Sequence, residues 1–246
     1  MNAWVVIVGC MKRSVVVLGM LAGLAVSVFL FSSGPVVAQG GGTIIGEVRL
    51  TGEAPALKVL KVNKDSEVCG PEKTSEDLVV GPNKGLKWAV ASLVDGKFPA
   101  PDAMKKATLD QSGCAFKPHV VLVPAGGSVD ILNNDGILHN VHTYSTVNPS
   151  INKAQPKFKK VLTEKLGQPE AIQIRCDAHH WMSGWVVVAD SPYYAVTDDT
   201  GSFKLDNVPA GKHKLQVWHE TLGKQIKEVE VKTGETLKVA FDLKKD

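Results

Sequence analysis

Amphipathic helical stretches are scarce in this 246-residue chain, and so are the signatures of most enzymes. No His-Glu-x-x-His zinc motif occurs, and no glycine loop follows the phosphate-binding patterns. No nucleophile, base and orienting residue stand out as a set. The chain is therefore read as a non-enzyme. One-sided charge is missing too. Lys and Arg number 28 against 25 Asp and Glu, a formal +3, and the two signs are interspersed. That pattern offers no nucleic-acid footprint. The basic stretch KAQPKFKK at 153–160 reads as a solvated loop. Cysteine is sparse, with four residues in all.

The first 38 residues read as a targeting segment. Lys12 and Arg13 precede an apolar run from Val15 to Phe31. Val36-Val37-Ala38 then puts small residues at a cleavage site, so the mature chain is expected from Gln39. An anchoring span would need a longer run with no cleavage site behind it. Export to the periplasm or beyond is expected, with no membrane span after cleavage. Met11 is a better start than Met1, and Cys10 in "IVGC" has no basic region before it to make a lipid-attachment site. Loss of Lys12 and Arg13 takes the formal +3 to +1.

Cys69, Cys114 and Cys176 remain after export. In an oxidising compartment an odd count leaves one thiol out of disulfides. Cys69 (SEVCGPEK) and Cys114 (DQSGCAFKP) lie in turn-rich contexts. Cys176 has two histidines close by, in IRCDAHHWMSGW at 174–185. The simplest partition is a Cys69–Cys114 disulfide and a free, metal-bound Cys176.

Gly and Pro punctuate short runs of period-two alternation. Ile44, Gly46, Val48 and Leu50 share one strand face; Val129 and Ile131 share another. Ile172, Ile174 and Cys176 form a third, and Leu237, Val239, Phe241 and Leu243 a fourth. This predicts an all-β sandwich architecture. Short helices are expected at most within 100–110 and 158–166. By pattern the chain divides into 43–95, a histidine-rich 105–190, and 193–244.

The segment 193–244 resembles the carboxypeptidase regulatory-like domain, a small transthyretin-like β-sandwich. The resemblance rests on VTDDTGSFKL and NVPAGKHKLQV. Asp198-Asp199-Thr200-Gly201 reads as a hairpin turn and Pro209-Ala210-Gly211 as a second turn, with Phe203, Leu205, Leu215 and Val217 in the core. The opening G-x-V strand of that family matches Gly46-Glu47-Val48, and its second apolar strand matches Val90 to Val94. The resemblance thus covers both ends of the mature chain, with the histidine-rich segment inserted between or fused. It speaks to fold and says little about chemistry.

The inserted segment resembles cupredoxins of the plastocyanin and pseudoazurin kind, over about 80 residues. That family carries its first copper histidine in an N-N/D-…-H-N-V segment, matched here by Asn133 to Val141. Its other ligands come from one loop, in the order cysteine, histidine, methionine. The resemblance implies a cupredoxin-like Greek-key sandwich with copper held by His139, Cys176, His179 and Met182. It departs from plastocyanin in one respect. The family spacing is Cys-x2-His-x4-Met, and this chain has Cys-x2-His-x2-Met. The tighter spacing is that of the dinuclear copper site of cytochrome oxidase subunit II, which needs a second cysteine that residues 177–183 do not supply. A mononuclear site is expected, and His180 could replace either neighbour as a ligand. His142 would need a strand bulge to join.

The donor chemistry agrees with copper. One thiolate and two imidazoles with a weak thioether select copper and let it cycle between Cu(I) and Cu(II). Zinc prefers four strong ligands. His119 reads as a partly buried polar residue, His213 and His219 as structural, and Trp181 and Trp185 as site walls or core. The resemblance implies a type 1 copper protein passing single electrons to a partner such as a c-type cytochrome. A copper carrier or buffer, and an interaction module with a vestigial site, are the alternatives.

Overall fold

The computed structural model describes residues 40–96 and 98–245; the targeting segment and its cleavage site lie outside the described residues. The strands run β1 (Gly42–Leu50), β2 (Val59–Lys61), β3 (Glu72–Thr74), β4 (Val90–Leu93), β5 (Lys106–Gln111) and β6 (Phe116–Lys117). They continue as β7 (Val120–Pro124), β8 (Gly127–Asn133), β9 (His139–Tyr144), β10 (Asn152–Gln155), β11 (Val161–Leu166), β12 (Glu170–Arg175) and β13 (Ser183–Ala189). The last five are β14 (Tyr194–Val196), β15 (Ser202–Val208), β16 (Gly211–His219), β17 (Gly223–Val231) and β18 (Thr236–Leu243). A one-turn helix α1 (Ser66–Cys69) lies between β2 and β3. The chain is all-β, as the alternating pattern predicts.

Two sheets of the order β10-β9-β12-β13-β7 and β11-β8-β5-β6 enclose one core. It contains Leu109, Phe116, Val129, Ile131, Val141, Ile172 and Ile174. The sheets β15-β1-β18 and β14-β4-β16-β17 go with a second core, built on Ile44, Val48, Leu86, Leu93, Leu215 and Phe241. The second set of strands is discontinuous in sequence. β1 pairs antiparallel with β15 and parallel with β18, and β4 pairs with β14 and β16, so β5 to β13 interrupt it. Between the two cores, Val120 and Val187 pack with Val90 alongside Trp88, Trp185 and Trp218.

Several local expectations are corrected. Residues 161–166 form strand β11 and no helix. Leu162 and Leu166 are its buried positions, and a spacing of four fits both two strand repeats and one helical turn. The partner strand β8 decides the matter, with Leu162 opposite Ile131. Within 100–110 there is one 3₁₀ turn, Asp102–Met104, before β5 begins. Residues 153–155 of the stretch expected as loop belong to β10 at a sheet edge, and the exposed Lys153 suits that edge. The turn at 198–201 is also no hairpin. It joins β14 to β15, which belong to different sheets, so it is a corner between layers.

The excursion from β1 to β4 leaves the second set of strands and crosses to the first core. Its β2–β3 hairpin and α1 carry Val62 and Cys69 onto that core. Cys69 is joined there to Cys114 in a disulfide, and Cys176 is free and buried. Thiol titration of the unfolded, unreduced, metal-free mature chain should find one thiol. Three would mean no bridge forms. Closing 45 residues of chain contributes about 2–4 kcal/mol.

Candidate metal centre

The hairpin β12–β13 pairs Arg175 with Ser183, so residues 176–182 form its tip. Two successive turns fold that tip. The His179 N–H donates to the Cys176 carbonyl (3.3 Å), and the Met182 N–H donates to the His179 carbonyl (2.9 Å). An i to i+3 turn brings its end residues side by side, which is how a Cys-x2-His spacing can make one site. The Cys176 N–H closes the loop onto the Met182 carbonyl at 3.2 Å.

His139 arrives from β9. The turn before it reverses at Gly136, whose φ of +73° suits glycine. Asn133 holds that turn by donating its side-chain amide to the carbonyls of Ile137 (2.9 Å) and Gln155 (2.8 Å). Next along β9, the Asn140 N–H donates to the Cys176 sulfur (3.4 Å), and the Asp177 N–H returns a bond to the Asn140 side chain.

These elements bring three donor atoms together. The His139 Nδ1 lies 2.9 Å from the His179 Nδ1, and the Cys176 Sγ lies 3.8 Å and 3.7 Å from them. The point equidistant from all three is about 2.0 Å from each, close to the metal bond lengths of imidazole nitrogen and thiolate sulfur. His139 and His179 are 0% exposed, Cys176 and Met182 1%.

The other ring nitrogens explain why both Nδ1 atoms face inward. The His139 Nε2 meets Asp135 at 2.8 Å, and the His179 Nε2 meets Asp65 at 2.7 Å. A carboxylate accepts a hydrogen bond from the ring Nε2–H and fixes the tautomer, leaving the Nδ1 lone pair free to bind a metal. Two such lone pairs 2.9 Å apart repel unless a cation lies between them. Asp135 is itself held by the N–H groups of Gly113 and Cys114. Burial pushes the Cys176 thiol above its ordinary value, opposed by the Asn140 N–H. Burial likewise holds His139 below its ordinary value, against the pull of Asp135. Both shifts favour neutral side chains, and a cation at the centre would reverse the first.

Met182 packs in the same buried cluster as Cys176. Its thioether is the candidate fourth ligand that the sequence offers, and it is 1% exposed. The alternative histidines from sequence lie outside the triangle. His180 is exposed and lines a cleft with Lys58, Gln173, Trp181 and Glu220. His142 stays on the opposite face because β9 pairs with β10 in regular register, and its ring meets Asp177 instead (3.0 Å). Trp181 walls the site, with its ring 5.1 Å from that of His179 and its N–H on the Cys114 carbonyl. Trp185 lies elsewhere, against Trp218. His119 is fully rather than partly buried and pairs with Glu220. His213 donates its Nε2–H to the Pro209 carbonyl within its own sandwich, and His219 accepts the Thr221 N–H.

Sequence reasoning missed Asp65, Asp135 and Glu220. An acidic residue in the turn four positions before a ligand histidine is a readable signal for Asp135. Asp65 is 114 residues from His179 and carries none.

No family model matches the chain, and no match was found among curated proteins. Solved structures with local similarity include a purple cupredoxin from Nitrosopumilus maritimus, 18% identical over 34% of this chain and 99% of its own, TM-score 0.30. A mutant amicyanin in its Cu(I) form is 19% identical over 40% of this chain and 98% of its own, TM-score 0.32. A mutant fern plastocyanin is 17% identical over 33% and 99%, TM-score 0.30.

Proposed function

We propose that this chain is an exported mononuclear copper protein of the type 1, cupredoxin-like kind, and that it carries single electrons without substrate chemistry of its own. The observation that carries this reading is the triangle of the His139 Nδ1, Cys176 Sγ and His179 Nδ1, with bonding distance at its centre. Bound copper would supply a one-electron couple between Cu(I) and Cu(II).

The residues supply the rest. Cys176 offers a buried thiolate whose sulfur takes one backbone N–H bond, a donor that tunes a redox site. His139 and His179 are locked by carboxylates, so the ligand set needs little rearrangement between oxidation states. Met182, buried in the same cluster as Cys176, would offer copper a weak thioether donor. The zinc reading is poorer, because among the described residues three strong donors converge at this centre and the further candidate, Met182, is a thioether. The second sandwich is read as a regulatory-like spacer, and a small c-type cytochrome as the class of redox partner.

Loading with Cu(II) should give an intense visible charge-transfer band and narrow copper hyperfine splitting. His180→Ala should leave both nearly unchanged, since that ring is exposed and outside the triangle. A colourless copper complex would sink the type 1 assignment. Electron transfer further requires that the ion be retained through redox cycles. Ready exchange with a chelator in both oxidation states, with no electron exchange with a c-type cytochrome, would favour a carrier instead.

A further inference from the structure

The ligand His179 is completed by a residue from outside its own sandwich. Asp65 belongs to the excursion between β1 and β4, two strands of the other set. It stands at the N-cap of α1, where a carboxylate ordinarily accepts N–H bonds of the first turn. It makes no such cap bond. Its backbone carbonyl accepts the Val68 and Cys69 N–H groups, and its side chain turns to the His179 Nε2 at 2.7 Å. The backbone at Asp65 is left-handed, with φ 51° and ψ 37°, a conformation that is strained for a non-glycine residue. The strand-to-helix turn is thus bent to aim this carboxylate at the ligand. Four residues on, Cys69 is bonded to Cys114, whose own N–H meets Asp135, the carboxylate behind the other ligand histidine. One disulfide therefore fastens the supports of both imidazoles.

We propose that Asp65 is a positioning residue for His179, and that the 65–69 turn, pinned by the Cys69–Cys114 disulfide, is a clasp over this ligand that slows loss of the ion. The clasp rests on the copper reading of the site. It makes retention a property of both halves of the chain. The 176–182 loop supplies ligands, and the excursion from the second sandwich closes the outer edge of His179, which is 0% exposed.

Two readouts test it. In the metal-free protein, nitrogen NMR of the His179 ring should show an Nε2 proton that exchanges slowly with water. Asp65→Gly tolerates the left-handed backbone and removes only the carboxylate, and in it that proton should exchange rapidly. In the copper-loaded protein, transfer of Cu(I) to bathocuproine disulfonate should be about tenfold or more faster in Asp65→Gly, the usual size of a lost outer partner. Asp65→Asn keeps a neutral acceptor and tolerates the same backbone, so it should fall between. The double variant Cys69→Ser with Cys114→Ser should speed transfer while keeping the visible band. If Asp65→Gly keeps the slow ring proton and the wild-type transfer rate, the clasp is overturned. The NMR readout needs no metal, so a wild-type protein that binds no copper defeats the copper reading while the ring proton still decides the role of Asp65.

Discussion

Replacing Cys176 with serine is expected to abolish the visible band and the narrow hyperfine splitting of the Cu(II) protein while the fold survives. Both signatures come from a copper–thiolate bond, and Cys176 is the free cysteine among the described residues. The expected loss is complete rather than graded, because a hydroxyl at that position is a far harder and less basic donor. The fold should tolerate the change. Ser is close in size, and the cost is that of a buried hydroxyl, about 1–3 kcal/mol. The Asn140 N–H can donate to it as it does to the sulfur. Visible and EPR spectra of both proteins, with thermal unfolding alongside, check the prediction. A serine variant that keeps the intense band would show the colour to arise elsewhere and defeat the ligand assignment. The same loss in a protein that no longer unfolds cooperatively would have to be repeated with Cys176→Ala, which removes the donor without burying a polar group.

The candidate ligand loop is legible because its chemistry is compressed into seven residues, and its spacing matches the turns that fold it. His139 was legible through strand logic, with Val141 on its own face and both residues buried. The all-β architecture followed from period-two burial that survives in the structure, as at Ile172 and Ile174. What failed is instructive. Leu162 and Leu166 satisfy two periods at once, so a six-residue run could not arbitrate between helix and strand. The carboxylates behind the ligands were invisible for a different reason. A second partner to an imidazole is chosen by tertiary contact, and Asp65 looks like any polar residue before a short helix. His119 reads as partly buried and is buried outright, because its partner Glu220 is 101 residues away and gives no local signal.

That same Glu220 carries the second large expectation. Glu220→Ala should destabilise the protein by about 3 kcal/mol. Its carboxylate lies where the two cores meet. One oxygen pairs with the His119 Nε2 and the other accepts the Trp185 Nε1–H at 2.6 Å. His119 is 2% exposed. Both of these groups belong to the first sandwich, whereas Glu220 follows β16 of the second. Truncation leaves the buried His119 Nε2 and the half-buried Trp185 Nε1 without this partner, and an orphaned buried group costs about 1–3 kcal/mol. The apolar seam on one side, Val90, Val120, Val187 and the rings of Trp88 and Trp218, offers no replacement acceptor. Glu220→Gln is the informative control. Its amide oxygen can accept from Trp185 and its NH₂ can donate to the opposite tautomer of His119, so the loss should be about 1 kcal/mol. Equilibrium urea denaturation of the three proteins measures the difference. An alanine variant within about 0.5 kcal/mol of wild type, the range of ordinary surface changes, would show that this polar pair does not hold the sandwiches together in solution.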